Sequence, residues 1–532
     1  MEVDVCIVGS GAGGAPIAYV LQQAGFDVVV VEKGPYIKRE DFSKDEIALR
    51  RGIFRSNINE EFHVIYQNGK RYVGKECGWS FNNGSLVGGA TNFMSGYFHQ
   101  MQPIDFRLKT EFGAIEGANI EDWPITYEDL KPYYDKVAHV VGVSGEGLPY
   151  PPLKENIAAQ WFDEACRKLG IRPVKTPRAI LSLPKGDRNS CVYSGFCGSY
   201  GCSSGAKSSS REAMLQDVKI LDNSFVYKLD SDAKRVHTLY YFDQKKKSHK
   251  IRASIFVLAL SPIETVRLLF NSKNRYFPNG LANSSSHLGK NLIFSAGGIG
   301  GGVMKKEMMH EDLFTELQNR ALFLNRSLKE WYVYEKGNRR QKGGVIDFLF
   351  EHSNIIMQAQ NRMWNGNKPL WGAQLAKRLE KINNERVIQF EVFNDWLPTD
   401  RCHIGIEPGL KDRWGINVAA IYLDAHPRNR EVANFLGKKG IEVLKKMGAT
   451  SLYYSLSDDP PTNLVAGGCR FGNDPKNSLL DPTCRSWDLE NLYISDASFM
   501  PTGGSVPYTW TIYANAFRVA ENVKKQLRKS IN

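Results

Sequence analysis

Residues 4–32 read DVCIVGSGAGGAPIAYVLQQAGFDVVVVE. The stretch opens on a short apolar run, 4–8, of strand type. A Gly-rich turn follows, then an amphipathic helix to about Ala24, then a second apolar strand over 26–31. Strand, helix and strand within about 30 residues make one βαβ unit. Inside it, Gly9-Ser10-Gly11-Ala12-Gly13-Gly14 fits G-x-G-x-x-G in the context that gives the motif its meaning: after a strand, opening a helix, before a second strand ending in Glu32. Gly9 permits the tight turn, Gly11 lets backbone approach a pyrophosphate, and Gly14 allows helix and strand to pack closely. The helix N-terminus offers free N–H groups and a positive dipole end to phosphates. Glu32 is placed to accept hydrogen bonds from a ribose diol. The unit binds a dinucleotide; the loop alone does not separate FAD from NAD.

The rest of the chain is built around this unit. At 532 residues it is too long for one compact core. Apolar residues make up 42% and charged residues 24%, an ordinary globular mix. The formal net charge is +12. Its clearest basic run, 244–250 (QKKKSHK), lies between two strand-like stretches and reads as a solvated hairpin tip. No nucleic-acid motif accompanies the charge, so no nucleic-acid partner is expected. No apolar run approaches the roughly 18 residues that span a bilayer, so no membrane span is expected. The first strand leaves no room for a signal peptide, and nine cysteines form no regular framework. These features point to the cytoplasm, or to the periplasm only if a partner subunit carries the chain there.

Along the chain, 60–101 reads as loop-rich, 123–143 as a turn and helix, 220–258 as a β-meander and 263–270 as a short helix. From about Lys290 composition shifts toward charge and aromatics, with strands such as 387–393 (VIQFEVF) and 418–423. A helix is expected over 431–446, a strand over 491–496 and a helix over 511–525. The fold class is α/β (α+β overall). A Rossmann-like dinucleotide-binding domain (1–289) is expected to be joined by a substrate domain on a mostly antiparallel sheet (290–455), with 456–532 returning to the first domain.

Four stretches resemble the glucose–methanol–choline (GMC) family of FAD oxidoreductases, nearest to its bacterial gluconate and sugar-acid dehydrogenase branch. They are the N-terminal loop; Val87-Gly88-Gly89-Ala90-Thr91-Asn92; the series Trp123-Pro124-Ile125-Thr126-Tyr127, Ile263-Glu264-Thr265 and Gly280-Leu281-Ala282-Asn283-Ser284; and Asn491-Leu492-Tyr493-Ile494-Ser495-Asp496 with Met500-Pro501-Thr502. The resemblance implies FAD as cofactor, with Gly88 and Gly89 against the pyrophosphate and ring. It implies Val226 offering backbone to adenine and Asp496 at the ribityl chain. A helix from about Thr511 would aim its positive end at the flavin's N1–C2 side.

The family's catalytic His position is Leu464 here, and its second polar position is Val506. Neither side chain accepts a proton. Asn463, Tyr508 and His426 are the nearby alternatives, His426 with the stronger case for a structural role. Tyr508 would need its pKa, ordinarily about 10, lowered substantially.

Cys191, Cys197 and Cys202 lie in CVYSGFCGSYGC, separated by Gly195, Gly198 and Gly201. Three thiolates suit a three-iron cluster better than a four-Cys site. In resembling dehydrogenases this region can hold an iron–sulfur cluster that passes electrons to a cytochrome subunit. A zinc site, a disulfide with one free thiol, and reduced structural cysteines are the other readings. The expected function is FAD-dependent oxidation of a CH–OH group of a sugar, sugar acid or polyol-like substrate by hydride transfer to flavin N5. Expected partners are this small polar substrate and an electron-acceptor subunit or cytochrome. The alternatives are a biosynthetic oxidase tailoring an aminosugar or another secondary metabolite, and a flavin-binding electron-transfer subunit without alcohol oxidase activity.

Overall fold

A computed structural model of the chain describes residues 1–46, 56–79, 81, 84–351, 353–366, 368–456 and 464–531. Its first sheet has a parallel core. From one edge it runs Ile220–Leu221, Val28–Val31, Glu2–Val8 and Ser248–Leu258, with Leu492–Ile494 pairing in parallel to the end of Ser248–Leu258. Val28–Val31 is four valines, all buried, as a parallel strand covered on both faces requires. Helix Ala15–Gln23 begins with Pro16 in its first turn and ends before Gly25, whose φ of +86° suits glycine. It packs on the C-terminal helix Thr509–Ile531, with Tyr19 and Phe517 edge to face at 6.4 Å.

Phe225–Ser231, Val236–Phe242 and Ser248–Leu258 form the expected meander. At its tip, Asp243 Oδ1 accepts from the amides of Lys245 and Lys247, so the basic run closes a hairpin.

The second sheet runs Thr450–Leu456, Gly298–Lys305, Glu385–Asp395, Gly344–Phe350, Arg326–Leu328 and Pro173–Lys175, with Ser295–Ala296 also on Glu385–Asp395. Every pairing in it is antiparallel. Helices Pro427–Lys446 and Ala158–Lys168 cover one face. Val432, Leu436, Val443 and Leu444 pack there with Ile388, Phe390 and Val392. Strand alternation then sends Glu391 and Phe393 to the opposite face.

Three assignments differ from the sequence reading. The strand expected at 418–423 does not join the substrate sheet. Asn417–Leu423 pairs in parallel with Val64–Gln67, in a four-stranded sheet completed by Lys70–Val73 and His403–Lys411. Ala419, Ile421 and Leu423 bury into the nucleotide-binding core, and Arg267 Nε donates to Asn417 O at 2.8 Å. Alternation marks a strand but not the sheet it joins. For the same reason the loop-rich reading of 60–101 missed two strands, and Pro173–Lys175 reaches the second sheet from well before Lys290. Among the described residues, no helix is long and apolar enough to cross a membrane.

Candidate functional site

The parallel strands Glu2–Val8, Val28–Val31, Ser248–Leu258 and Leu492–Ile494 end together. Gly9, Glu32, Ala259 and Asp496, just beyond those ends, line one cleft of about 490 Å³. A crevice outside the carboxyl ends of parallel strands is where this sheet type takes its ligand.

The nucleotide loop shapes the floor. Gly9 has φ +96°, and a Cβ there would lie 2.2 Å from Ala259 O. At Gly14 it would lie 2.0 Å from Gly9 O and 3.1 Å from Ile7 Cγ2, so helix and strand touch there. At Gly11 it would meet nothing within 4 Å: the space this glycine leaves belongs to the cleft. That cradle, beside a helix N-terminus, fits a pyrophosphate. Gly13, given no role by the sequence reading, explains how the tail reaches the loop: a Cβ there would lie 2.8 Å from Asp496 N and Ser495 O.

Glu32 is buried and tied to this loop. Its Oε2 accepts from Ser10 N (3.1 Å) and Ser10 Oγ (2.6 Å), and its Oε1 from Gly34 N (3.0 Å). Burial raises its pKa against these bonds, which favour the charged form. Ser10 Oγ also accepts from Gly88 N at 2.9 Å, fixing the 87–92 loop over the nucleotide loop. Gly89, at φ +56°, faces Gly11, where its Cβ would come within 3.4 Å of Gly11 Cα. Gly88, at φ +91°, packs on Asn92 and Arg211 and does not line the cleft.

Val226 lines the cleft with Ser224 and Phe225, and near them Glu264 pairs with His63 at 3.2 Å and with Arg267. Burial alone would raise Glu264; Arg267, His63 and Lys33 hold it well below the usual carboxylate range. Asp496 accepts from Ser261 N (3.1 Å), Thr265 Oγ1 (2.5 Å) and Ser498 N (2.8 Å). It therefore caps the short helix Ala497–Phe499 while lining the cleft, and burial raises its pKa. Thr509 and Ile512 bring the first turn of the C-terminal helix to the same space, two residues earlier than the sequence suggests.

A second group of residues, away from the nucleotide loop in sequence, lines the same cleft. Met94, Ser95, Gly96 and Tyr97 line it, as do Glu391 and Phe393 from the second sheet and Leu464 and Val465 from the C-terminal segment. Arg178 stacks on the Tyr97 ring, 3.9 Å from its centroid, and donates to Ser95 O (2.9 Å) and Asn325 Oδ1 (2.8 Å). Behind Glu391, Asp347 holds His99 Nε2 at 3.0 Å and accepts from Ser327 Oγ.

Of the sequence-predicted catalytic groups, the two described ones, Tyr508 and His426, do not line the cleft. Asn463 lies outside the described residues. Val506 is fully buried and, like Tyr508, does not line the cleft. The Tyr508 hydroxyl packs against Gly503 with no hydrogen-bond partner among the described residues, and burial pushes its pKa well up. His426 caps helix Pro427–Lys446, accepting from Arg428 N at 3.2 Å, with Nε2 on Glu116 O at 3.0 Å.

Cys191, Cys197 and Cys202 edge one small apolar cluster with Leu153, Ile180 and Leu181. All nine cysteines are free, which removes the disulfide reading. Among the described residues, no three His, Cys, Asp or Glu side chains are gathered as a metal ion requires. Burial pushes Cys191 up to about 12. Gly198 and Ser199 of the same loop do reach the cleft.

Sequence reasoning missed Ser10, Gly13, Tyr97 and Glu391. Only the last left a signal: a glutamate on the polar side of VIQFEVF, in a strand otherwise built for burial.

Residues 116–294 match the N-terminal and 398–516 the C-terminal model of the GMC oxidoreductases, and 7–42 match an NAD(P)-binding Rossmann-like domain. The chain is similar to a 2-methyl-1,2-propanediol dehydrogenase from Mycolicibacterium austroafricanum, at 27% identity over 99% of this chain and 96% of that one. It is 26% identical to a 6'''-hydroxyparomomycin C oxidase from Streptomyces lividus, over 98% and 92%. Among solved structures, a formate oxidase from Aspergillus oryzae, described for modification of its FAD, shares the fold at TM-score 0.65 and 14% identity, covering 99% of each chain. The chain belongs to the GMC oxidoreductases, FAD-dependent enzymes that oxidise alcohol groups.

Proposed function

We propose that the protein oxidises a CH–OH group of a small polyol-like molecule, in the range from simple diols through sugars and sugar acids to aminosugars. The observation that carries this reading is that Gly11 and Asp496, about as far apart in sequence as the chain allows, share one cleft with the start of the C-terminal helix. Gly11 and the N-terminus of Ala15–Gln23 take the diphosphate, Glu32 the ribose, the backbone at Val226 the adenine, and Asp496 the ribityl region. FAD, when bound, accepts hydride at N5. The positive end of Thr509–Ile531 stabilises negative charge on the N1–C2 side of the ring. The diol and aminoglycoside named for the two relatives support the substrate range.

Anaerobic mixing with a panel of diols, sugars, sugar acids and aminosugars tests the reading. Bleaching of the flavin absorbance by at least one is expected. A flavin that none of them reduces, or a released chromophore that is not FAD, overturns it.

A finer reading sends the electrons onward through an iron–sulfur cluster on Cys191, Cys197 and Cys202 to an acceptor subunit or cytochrome. Its support is that the cysteine loop meets the cleft at Gly198 and Ser199. Cys197→Ser should then lower both iron content and electron transfer to an artificial acceptor. If neither changes, the cysteines are structural.

A further inference from the structure

We infer that Glu391 is the side chain that takes the proton from the substrate hydroxyl. The inference rests on the reading of the cleft as a flavin site for CH–OH oxidation, and it fills the place left by Leu464 and Val506.

Among the described residues, four carboxylates line the cleft: Glu32, Glu264, Asp496 and Glu391. Glu32 is held by Ser10 and Gly34, Glu264 by His63 and Arg267, and Asp496 by Ser261, Thr265 and Ser498. Each thereby helps to build the nucleotide end. Among the described residues, the Glu391 carboxylate makes no hydrogen bond and no ion pair. His63 lines the cleft but is committed to Glu264. Tyr97 lines it too, but burial drives its phenol upward, away from the charged form a proton acceptor needs. Among the described residues, Glu391 is therefore the one cleft-lining carboxylate left uncommitted, and it lines the same cleft as Leu464.

Its surroundings suit the task. Glu391 sits mid-strand in Glu385–Asp395, a strand paired on both sides. The facing charged and titratable groups come from three elements. Asp347 lies directly across on strand Gly344–Phe350, Arg178 follows the Pro173–Lys175 edge, and Tyr97 sits on the 94–97 loop. Asp347 is occupied by His99 and Ser327, and Arg178 by Asn325 and Ser95, so neither neutralises Glu391 by direct pairing. Burial, reinforced by the Asp347 anion, raises Glu391 to about 7. A base with a pKa near working pH is both present in the right form and strong enough to use.

The step balances. The hydroxyl O–H bond breaks and its proton passes to a Glu391 oxygen. The adjacent C–H bond breaks, and its hydrogen leaves with both electrons to the bound flavin. The carbonyl forms as the substrate loses two electrons, and Glu391 later returns its proton to solvent.

Glu391→Gln and Glu391→Asp test this with three readouts: the rate of anaerobic flavin reduction against pH, the affinity for an unreactive competing polyol, and an infrared titration of the carboxyl band in resting protein without substrate. In the wild type the reduction rate should climb from acid pH to a plateau with a midpoint near about 7. Glu391→Gln should lower the limiting rate about 10²–10⁴-fold, the usual contribution of a positioned base, and flatten the profile. Affinity for the competing polyol should hardly move, and Glu391→Asp should recover part of the rate. A protonated-carboxyl band should disappear over the same pH range in the wild type and be absent from Glu391→Gln, whatever the variant's turnover. Three results overturn the inference alone while substrates still bleach wild-type flavin: a Gln variant with wild-type rate and profile, a loss confined to affinity, or no carboxyl titrating in that range. A wild-type flavin that no alcohol reduces instead sinks the reading beneath it.

Discussion

The two ends of the cleft are built on opposite rules. At the nucleotide end the backbone does the binding, and every lining carboxylate has donors: Glu32 has three, Asp496 has three, and Glu264 lies between His63 and Arg267. Elsewhere in the cleft Leu464 stands where the family's catalytic His would be, while Glu391 faces the cavity unmatched. A satisfied network holds its shape and resists change. An unmatched charge costs stability and is retained where chemistry uses it.

The largest effect expected from this contrast is at Arg267. Its buried guanidinium pairs with Asp412 and Glu264 and donates to Asn417 O, joining helix Pro262–Asn271 to the Asn417–Leu423 strand. Arg267→Ala leaves Asp412 buried without its cation and strips Glu264 of one of its partners, and should cost about 3–5 kcal/mol in urea unfolding. A loss below about 1 kcal/mol, the worth of a surface pair, would mean that the nucleotide end is not a rigid network.

Next come two glycines of one loop, which separate folding from binding. Gly9→Ala forces a Cβ to 2.2 Å from Ala259 O at φ +96°. It should cost on the order of 3 kcal/mol and release FAD. Gly11→Ala meets nothing within 4 Å of protein, so the apo-protein should unfold at the wild-type denaturant midpoint or slightly above it, while FAD affinity falls. Equal FAD affinity in Gly11→Ala and wild type would remove the diphosphate from this loop.

Glu391 gives a smaller effect of opposite sign. Its pKa is raised from 4.5 to about 7 in the folded state, so its protonated form favours folding. That stability is complete below about pH 4.5 and is lost as pH rises through about 7. Glu391→Gln should match wild type in acid and be more stable by about 3 kcal/mol at pH 8. A variant less stable than wild type at pH 8 would show that the carboxylate is matched after all.

This contrast also explains what could be read in the sequence. The nucleotide loop was legible because its chemistry is backbone chemistry: glycine spacing encodes turn, approach and packing within one stretch, and Glu32 follows from the strand's end. Asp496 was found by its motif, but its neighbour Gly13 was not, because their contact spans nearly the whole chain. Tyr508 looked plausible because it is adjacent in sequence to the family's polar position, yet its hydroxyl is turned into packing against Gly503. Glu391 left only the signal of a glutamate within VIQFEVF, because a strand's alternation says which residues share a face, and only the third dimension says what that face meets. The 418–423 strand was misassigned for the same reason.

The smallest effect probes whether the two walls of the substrate end are interchangeable. Leu464 lies at φ +57°, a conformation that costs most L-residues about 1–2 kcal/mol and that His adopts more readily. Leu464→His should therefore fold within about 1 kcal/mol of wild type and keep its flavin. With Glu391 present, a second acceptor adds nothing to a proton transfer already served, and the reduction rate should hold. In the Glu391→Gln background the imidazole should restore about tenfold of the 10²–10⁴ lost. The restored rate should follow an ionisation near about 6.5. If Leu464→His accelerates the otherwise unchanged enzyme by as much as it rescues the Gln variant, the two residues act independently and Glu391 is not the acceptor. Rescue confined to the Gln variant places both side chains over the same hydroxyl, on opposite walls of one cleft.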